Sequence, residues 1–200
     1  MSLTSPRQRS ADTWAQAGAW SAGFVVVLWV TEVVDTVLGG SLDDEGIRPG
    51  STDGLLGIVF APLLHVGFGH LVANTVPLLV LGFLVLLSGL RRGLAVTAVV
   101  WLVGGLGTWL FGGVGTVHLG ASGVVFGWLA YLLVRGFFTR HPVEVLVGVG
   151  VLLVYGGMLL GVLPGTPGIS WQGHLFGAVG GFAAARVLTT RQRSESSITY

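Results

Sequence analysis

His118-Leu119-Gly120-Ala121-Ser122-Gly123-Val124-Val125-Phe126-Gly127 sets a serine between glycines at the head of a long apolar run. A hydroxyl in that position has two uses. It can bond back to a carbonyl one turn earlier, as Ser and Thr do in membrane helices. Alternatively, it is a nucleophile whose glycine neighbours let a second helix and a substrate backbone come close. The second reading needs a base at the same height in the fold, so the surrounding chain has to supply one.

Composition settles the medium. The chain has 200 residues, a mean hydropathy of +0.82 and only 10% charged residues. A soluble domain carries about 25% charged residues, so this is an integral membrane protein. Its 34 glycines suit helices that pack through small side chains in lipid. The absence of cysteine removes disulfides, thiol catalysis and thiolate metal sites together. A net charge of +1 argues against a nucleic-acid partner. No cleavable signal is apparent, because the amino terminus is polar and its first apolar run is long.

Six apolar runs follow one another, at about 14–38, 71–90, 94–111, 119–135, 143–163 and 174–188. About 20 residues cross a bilayer core, so the fold class is an all-α, polytopic bundle of six spans. Residues 1–13 read as a short, disordered cytoplasmic tail, 14–190 as one membrane domain and 191–200 as a second tail. Glu32 and Asp35 stand at the far end of the first span, facing the interface or a neighbouring helix. The loop from Gly39 to about Leu56 is acidic and is broken by Pro49, Gly50 and Gly54. No internal repeat is visible. Arginines lie in both tails and in the second-to-third and fourth-to-fifth turns, whereas the opposite loops carry almost none. The positive-inside rule then puts both termini of this multi-pass protein in the cytoplasm; a bacterial plasma membrane is the expected location.

Height brings polar groups together. Ser122 lies 13 residues before Arg135 and His174 lies 12 before Arg186. At 1.5 Å per residue, both sit roughly 18–20 Å above the cytoplasmic boundary. Stripes of small residues, Gly123 and Gly127 on one helix and Gly173, Gly177 and Gly181 on the other, let the two backbones approach. They would also serve packing alone. Phe126 is one turn from Ser122 and is placed to stack on the imidazole. His70 and Asn74 share a face of the second span. Counted from Arg91 along a straight helix, Asn74 is higher than Ser122 by about 6 Å, which calls for a tilt or a bend at Pro77. Intramembrane polar groups are expensive and usually functional, and a structural hydrogen-bonded pair is the competing reading of those two residues.

His70-x-x-x-Asn74, Gly120-Ala-Ser122-Gly123 and Gly173-His174-Leu-Phe-Gly177, in this order and on the second, fourth and sixth spans, resemble the rhomboid intramembrane serine proteases. The resemblance covers about residues 15–190. It implies a Ser-His dyad without an acidic third member, in a water-filled cavity open to the outer side. Ser122 would be the nucleophile and His174 the general base. His70 and Asn74, with the Ser122 N–H, would hold the oxyanion. His65 matches a further family histidine that looks structural, and Phe126 takes the place of an aromatic packed on the catalytic histidine. The resemblance further implies transmembrane protein substrates drawn from the lipid bilayer, water as second substrate, and no cofactor or metal. Many rhomboids carry a Trp-Arg pair in the first loop. This chain has none, and offers only Gly46-Ile47-Arg48-Pro49 as a substitute.

Three rival functions use the same groups. A non-catalytic rhomboid-like factor would bind membrane clients without cutting them, yet all four site residues are present. A transporter calls for discontinuous helices or paired mid-membrane charges, and neither is evident. A metal site would use His65, His70, His118 and His174, but no carboxylate has a matching spacing.

Overall fold

The structure is a computed structural model that describes the backbone of residues 6–197 and the side chains of 11–189. Seven α-helices follow in order: α1 (Pro6–Val37), α2 (Gly54–Phe60), α3 (Gly67–Leu86), α4 (Leu90–Phe111), α5 (Ser122–Thr139), α6 (Pro142–Tyr155) and α7 (Trp171–Ser197). A 3-10 turn at Ser41–Glu45 precedes α2, another at Ala61–Leu63 follows it, and a third at Gly156–Val162 extends α6. Among the described residues no strand forms, only the isolated antiparallel bridge between Ile47 and His118. This is a helical membrane bundle, and the chain is a multi-pass integral membrane protein.

Among the described residues five helices are long and apolar enough to cross a membrane: α1, α3, α4, α5 and α6 with its 3-10 extension. The sixth long helix, α7, is less apolar and packs between α4 and α5. His174 of α7 is buried against α5, while Val179, Phe182 and Val187 on the same helix are exposed where lipid would cover them. Half of the α5 span is buried but only 11% of the α6 span, which puts α5 inside and α6 at the edge. Leu71, Leu78, Leu81 and Val85 of α3 meet Val124, Val125, Leu129 and Leu132 of α5 in the core. The exposed large residues, Val26, Val30, Leu102, Leu106, Leu146 and Leu153 among them, are the surface a bilayer would cover.

Lipid tails are as apolar as leucine, so close packing rather than hydrophobic exclusion joins helices here. The α5–α7 contact is built for it. A Cβ on Gly177 would fall on the Gly123 carbonyl, and one on Gly181 on the Gly127 carbonyl. At the opposite end from Ser122, Arg135 is bonded to Glu144, which also accepts from Thr139 Oγ1 at 2.6 Å, tying α5 to the start of α6.

Several boundaries differ from those read in the sequence. The first helix begins at Pro6, so residues 6–13 are helical rather than disordered, and residues 1–5 lie outside the described part. Polar residues continue a helix readily once the apolar span beyond them is anchored. The acidic loop is ordered too. Asp35 Oδ1 accepts the Leu42 N–H at 2.7 Å, which accounts for a buried carboxylate at the end of α1. Burial, with Asp35 and Asp44 nearby, pushes the Asp43 carboxyl above its usual range. From the other side, α4 holds the loop: Trp101 Nε1 donates to the Ile58 carbonyl and Trp109 Nε1 to the Ser51 carbonyl, both at 2.8 Å. Arg48 donates to the Asp44 carbonyl at 2.7 Å and so closes the 3-10 turn.

The height of Asn74 also changes. Residues 87–89 form a turn and Leu90 opens α4, so the helix below Asn74 ends at Leu86, 12 residues away, instead of running on to Arg91. That is a rise of roughly 18 Å, close to the height read for Ser122, and no bend is needed to bring them level.

Gly181→Ala tests the α5–α7 contact. Thermal unfolding in detergent should show a loss of about 1–3 kcal/mol or more, the usual cost of overpacking. Gly150 of α6 has open space where its Cβ would be, so Gly150→Ala should be neutral or stabilising.

Candidate active site

The head of α5 is pinned before the helix starts. His118 exchanges both backbone hydrogen bonds with Ile47, at 2.8 and 2.9 Å. The Gly120 N–H then donates to the Ala61 carbonyl at 2.8 Å, and the Ala121 N–H to His65 Nε2 at 3.3 Å. Gly120 has φ +117°, which favours glycine, and a Cβ there would meet His70 Cε1 at 2.6 Å. The chain therefore turns sharply against the His70 ring and delivers Ser122 as the first residue of α5. The Ser122 and Gly123 N–H groups at that end have no intrahelical acceptor and carry the positive end of the helix dipole.

Ser122 Oγ lies 2.9 Å from His174 Nε2, so the two helices do place hydroxyl and imidazole at one height. On the far side of the ring His174 Nδ1 is 2.9 Å from the Gly161 carbonyl. A carbonyl only accepts, so Nδ1 carries the proton and Nε2 is the acceptor for the serine hydroxyl. The Phe126 ring stacks on the imidazole with centroids 4.0 Å apart and planes 5° from parallel. His174 itself is 7% exposed.

Gly161 was not singled out in the sequence. It belongs to the 3-10 segment after α6, and a Cβ there would meet Phe126 Cζ at 2.8 Å and His174 Nδ1 at 3.1 Å. The only signal was indirect: Gly156, Gly157 and Gly161 weaken the end of the fifth apolar run, where freed carbonyls become available.

His70 and Asn74 lie on the α3 face beside this site. Asn74, 5% exposed, donates one Nδ2 hydrogen to the His70 carbonyl at 3.0 Å, leaving the second hydrogen of that nitrogen. The His65 and His70 rings meet edge to face with centroids 5.1 Å apart. His118 turns elsewhere, to Ser170 Oγ and the Gly112 carbonyl. The four histidines thus do not converge on one point, and among the described residues no group of three or more His, Asp or Glu is arranged to hold a metal. A small cavity opens beside Ser122, lined by Pro62, Trp101, Gly104, Thr108, Leu119 and Gly173 among others.

Comparison with known proteins agrees with the architecture. A family model described as the Rhomboid domain matches residues 52–191. Uncharacterized proteins of Mycobacterium tuberculosis and Mycobacterium bovis are each 51% identical, the match covering 92% of this chain and 80% of theirs. An uncharacterized protein of Mycobacterium leprae is 48% identical, over 92% of this chain and 76% of its own length. With the model match spanning more than half of its length, this chain belongs to the rhomboid family.

Proposed function

We propose that this rhomboid is an active intramembrane serine endopeptidase whose dyad is Ser122 and His174. The observation that carries the reading is the 2.9 Å contact between Ser122 Oγ and a His174 Nε2 left free to accept, its tautomer set by the Gly161 carbonyl. Ser122 Oγ attacks the scissile carbonyl carbon while His174 Nε2 takes its proton. The resulting imidazolium keeps its Nδ1–H on Gly161 and gives the Nε2 proton to the departing amine. Water then repeats the sequence on the acyl-enzyme and frees Ser122. The tetrahedral oxyanion falls to the Ser122 N–H, His70 and Asn74, donors of a kind typically worth about 3–4 kcal/mol each.

Arginine placement orients the protein with both termini cytoplasmic, which opens the site toward the outer side of the plasma membrane. The substrates are then transmembrane proteins cut near the outer end of a span. A helical peptide group is already hydrogen-bonded and shielded, so a segment weakened by glycine or another helix breaker reaches Ser122 most easily.

Ser122→Ala and His174→Ala should each abolish cleavage of a single-span substrate in proteoliposomes, and Ser122→Ala should abolish labelling by a fluorophosphonate. Comparable turnover by purified Ser122→Ala sinks the proposal. Asn74→Ala should lower kcat with little change in KM, as removal of a transition-state contact does. An intact kcat with a reduced Tm would instead make the His70–Asn74 pair structural. Gly161→Ala should displace either the Phe126 ring or the imidazole and cost about 100-fold in kcat, the scale set by an ångström of misplacement. Unchanged kinetics would remove Gly161 from the account.

A further inference from the structure

A second serine–histidine contact lies four residues before the first in both chain segments, just ahead of α5 and α7. His118 precedes Ser122 by one helical turn's worth of chain, and Ser170 precedes His174 by the same spacing. His118 Nδ1 is 2.7 Å from Ser170 Oγ. The side chains have exchanged helices: here the imidazole belongs to the α5 side and the hydroxyl to the α7 side.

Donor and acceptor roles follow from the partners. His118 Nε2 is 2.9 Å from the Gly112 carbonyl and 2.7 Å from Thr116 Oγ1. The carbonyl accepts only, so Nε2 carries the proton and Nδ1 accepts the Ser170 hydroxyl hydrogen. The Ser170 oxygen in turn accepts the Gly173 N–H at 3.2 Å, which makes it the N-cap of α7. Ser170 also takes the His174 N–H on its own carbonyl, at 3.1 Å. A continuous path thus runs from the His118 ring through Ser170 to the backbone of His174.

The ring is held at both nitrogens, Nδ1 by Ser170 and Nε2 by the Gly112 carbonyl and Thr116, and its backbone is paired with Ile47. Burial pushes this imidazole below its ordinary range, against the pull of the Gly112 carbonyl, and so favours the neutral form that the bonding pattern demands.

We propose that His118 is a positioning residue: by holding Ser170 it fixes the height and rotation of the first turn of α7 against the head of α5, and hence the approach of His174 Nε2 to Ser122 Oγ. Both line the cavity beside Ser122, but neither bonds to Ser122 Oγ or to the His174 ring. The inference rests on the dyad reading above, and it adds a second, non-reacting clamp that keeps the dyad aligned.

The test measures the rate at which a fluorophosphonate labels Ser122 in the purified full-length protein, with kcat and KM on a single-span substrate in parallel. His118→Ala and Ser170→Ala should each slow labelling and kcat by about 10- to 100-fold with KM unchanged, the scale expected for a misplaced catalytic group. The double variant should be no slower than the worse single one, since both act through one contact. His118→Asn puts an amide oxygen near the place of Nδ1 and should recover most of the rate. Wild-type labelling rates in His118→Ala and Ser170→Ala, multiplied effects in the double variant, or no recovery in His118→Asn would overturn the inference while leaving the dyad standing. Absence of labelling in the wild type itself would overturn both.

Discussion

Everything at the site depends on how closely α5 and α7 approach. Gly177 and Gly181 sit against the carbonyls of Gly123 and Gly127, positions where a single methyl group would collide. In lipid such contacts are the main cohesive force, because apolar surface gains little from leaving one apolar medium for another. The same stripe sets register. Gly177 is three residues after His174 and Gly123 is one after Ser122, so seating glycine on carbonyl fixes which side chains face each other. A larger residue at either place would separate the helices and lengthen the 2.9 Å contact between hydroxyl and imidazole.

Much of this was legible in the sequence because it rests on periodicity and height. Apolar run lengths revealed the spans, and residue counts the shared height of Ser122 and His174. The stacking of Phe126 followed from one-turn spacing. What escaped was carried by backbone or by distant contacts. Gly161 acts through its carbonyl, and a carbonyl has no signature in a residue string. The short helix α2 is held by Trp101 and Trp109 from α4, so nothing local in residues 54–60 announced it. Asn74 was read too high because the helix was counted on to Arg91, although Ser88-Gly89 is a turn signal and the chain does turn there.

The first loop makes a related point about substitution within a family pattern. It lacks a Trp-Arg pair, yet it is tightly held. Its indole donors come from α4 below it, and Arg48 closes its 3-10 turn on the Asp44 carbonyl. Gly54 and Gly57 let α2 lie directly on the 46–48 backbone, where a Cβ on either would collide with main-chain atoms. The residue string changed, while the physical requirement, a fixed platform for the Ile47–His118 bridge, was met by other donors.

A carbonyl behind the imidazole is a sensible choice for this depth. A carboxylate there would stabilise the imidazolium more strongly, but an ionised group taken out of water costs several kcal/mol before it contributes anything. A neutral acceptor costs far less to bury and still selects the Nδ1–H tautomer, which is the larger part of what a third member supplies. The loss of charge is partly offset by rigidity. His174 is held by Gly161 at one nitrogen, by Ser122 at the other and by Phe126 across its face. In the proposed mechanism, placement fixed by these three contacts takes over part of what a charged third member would supply.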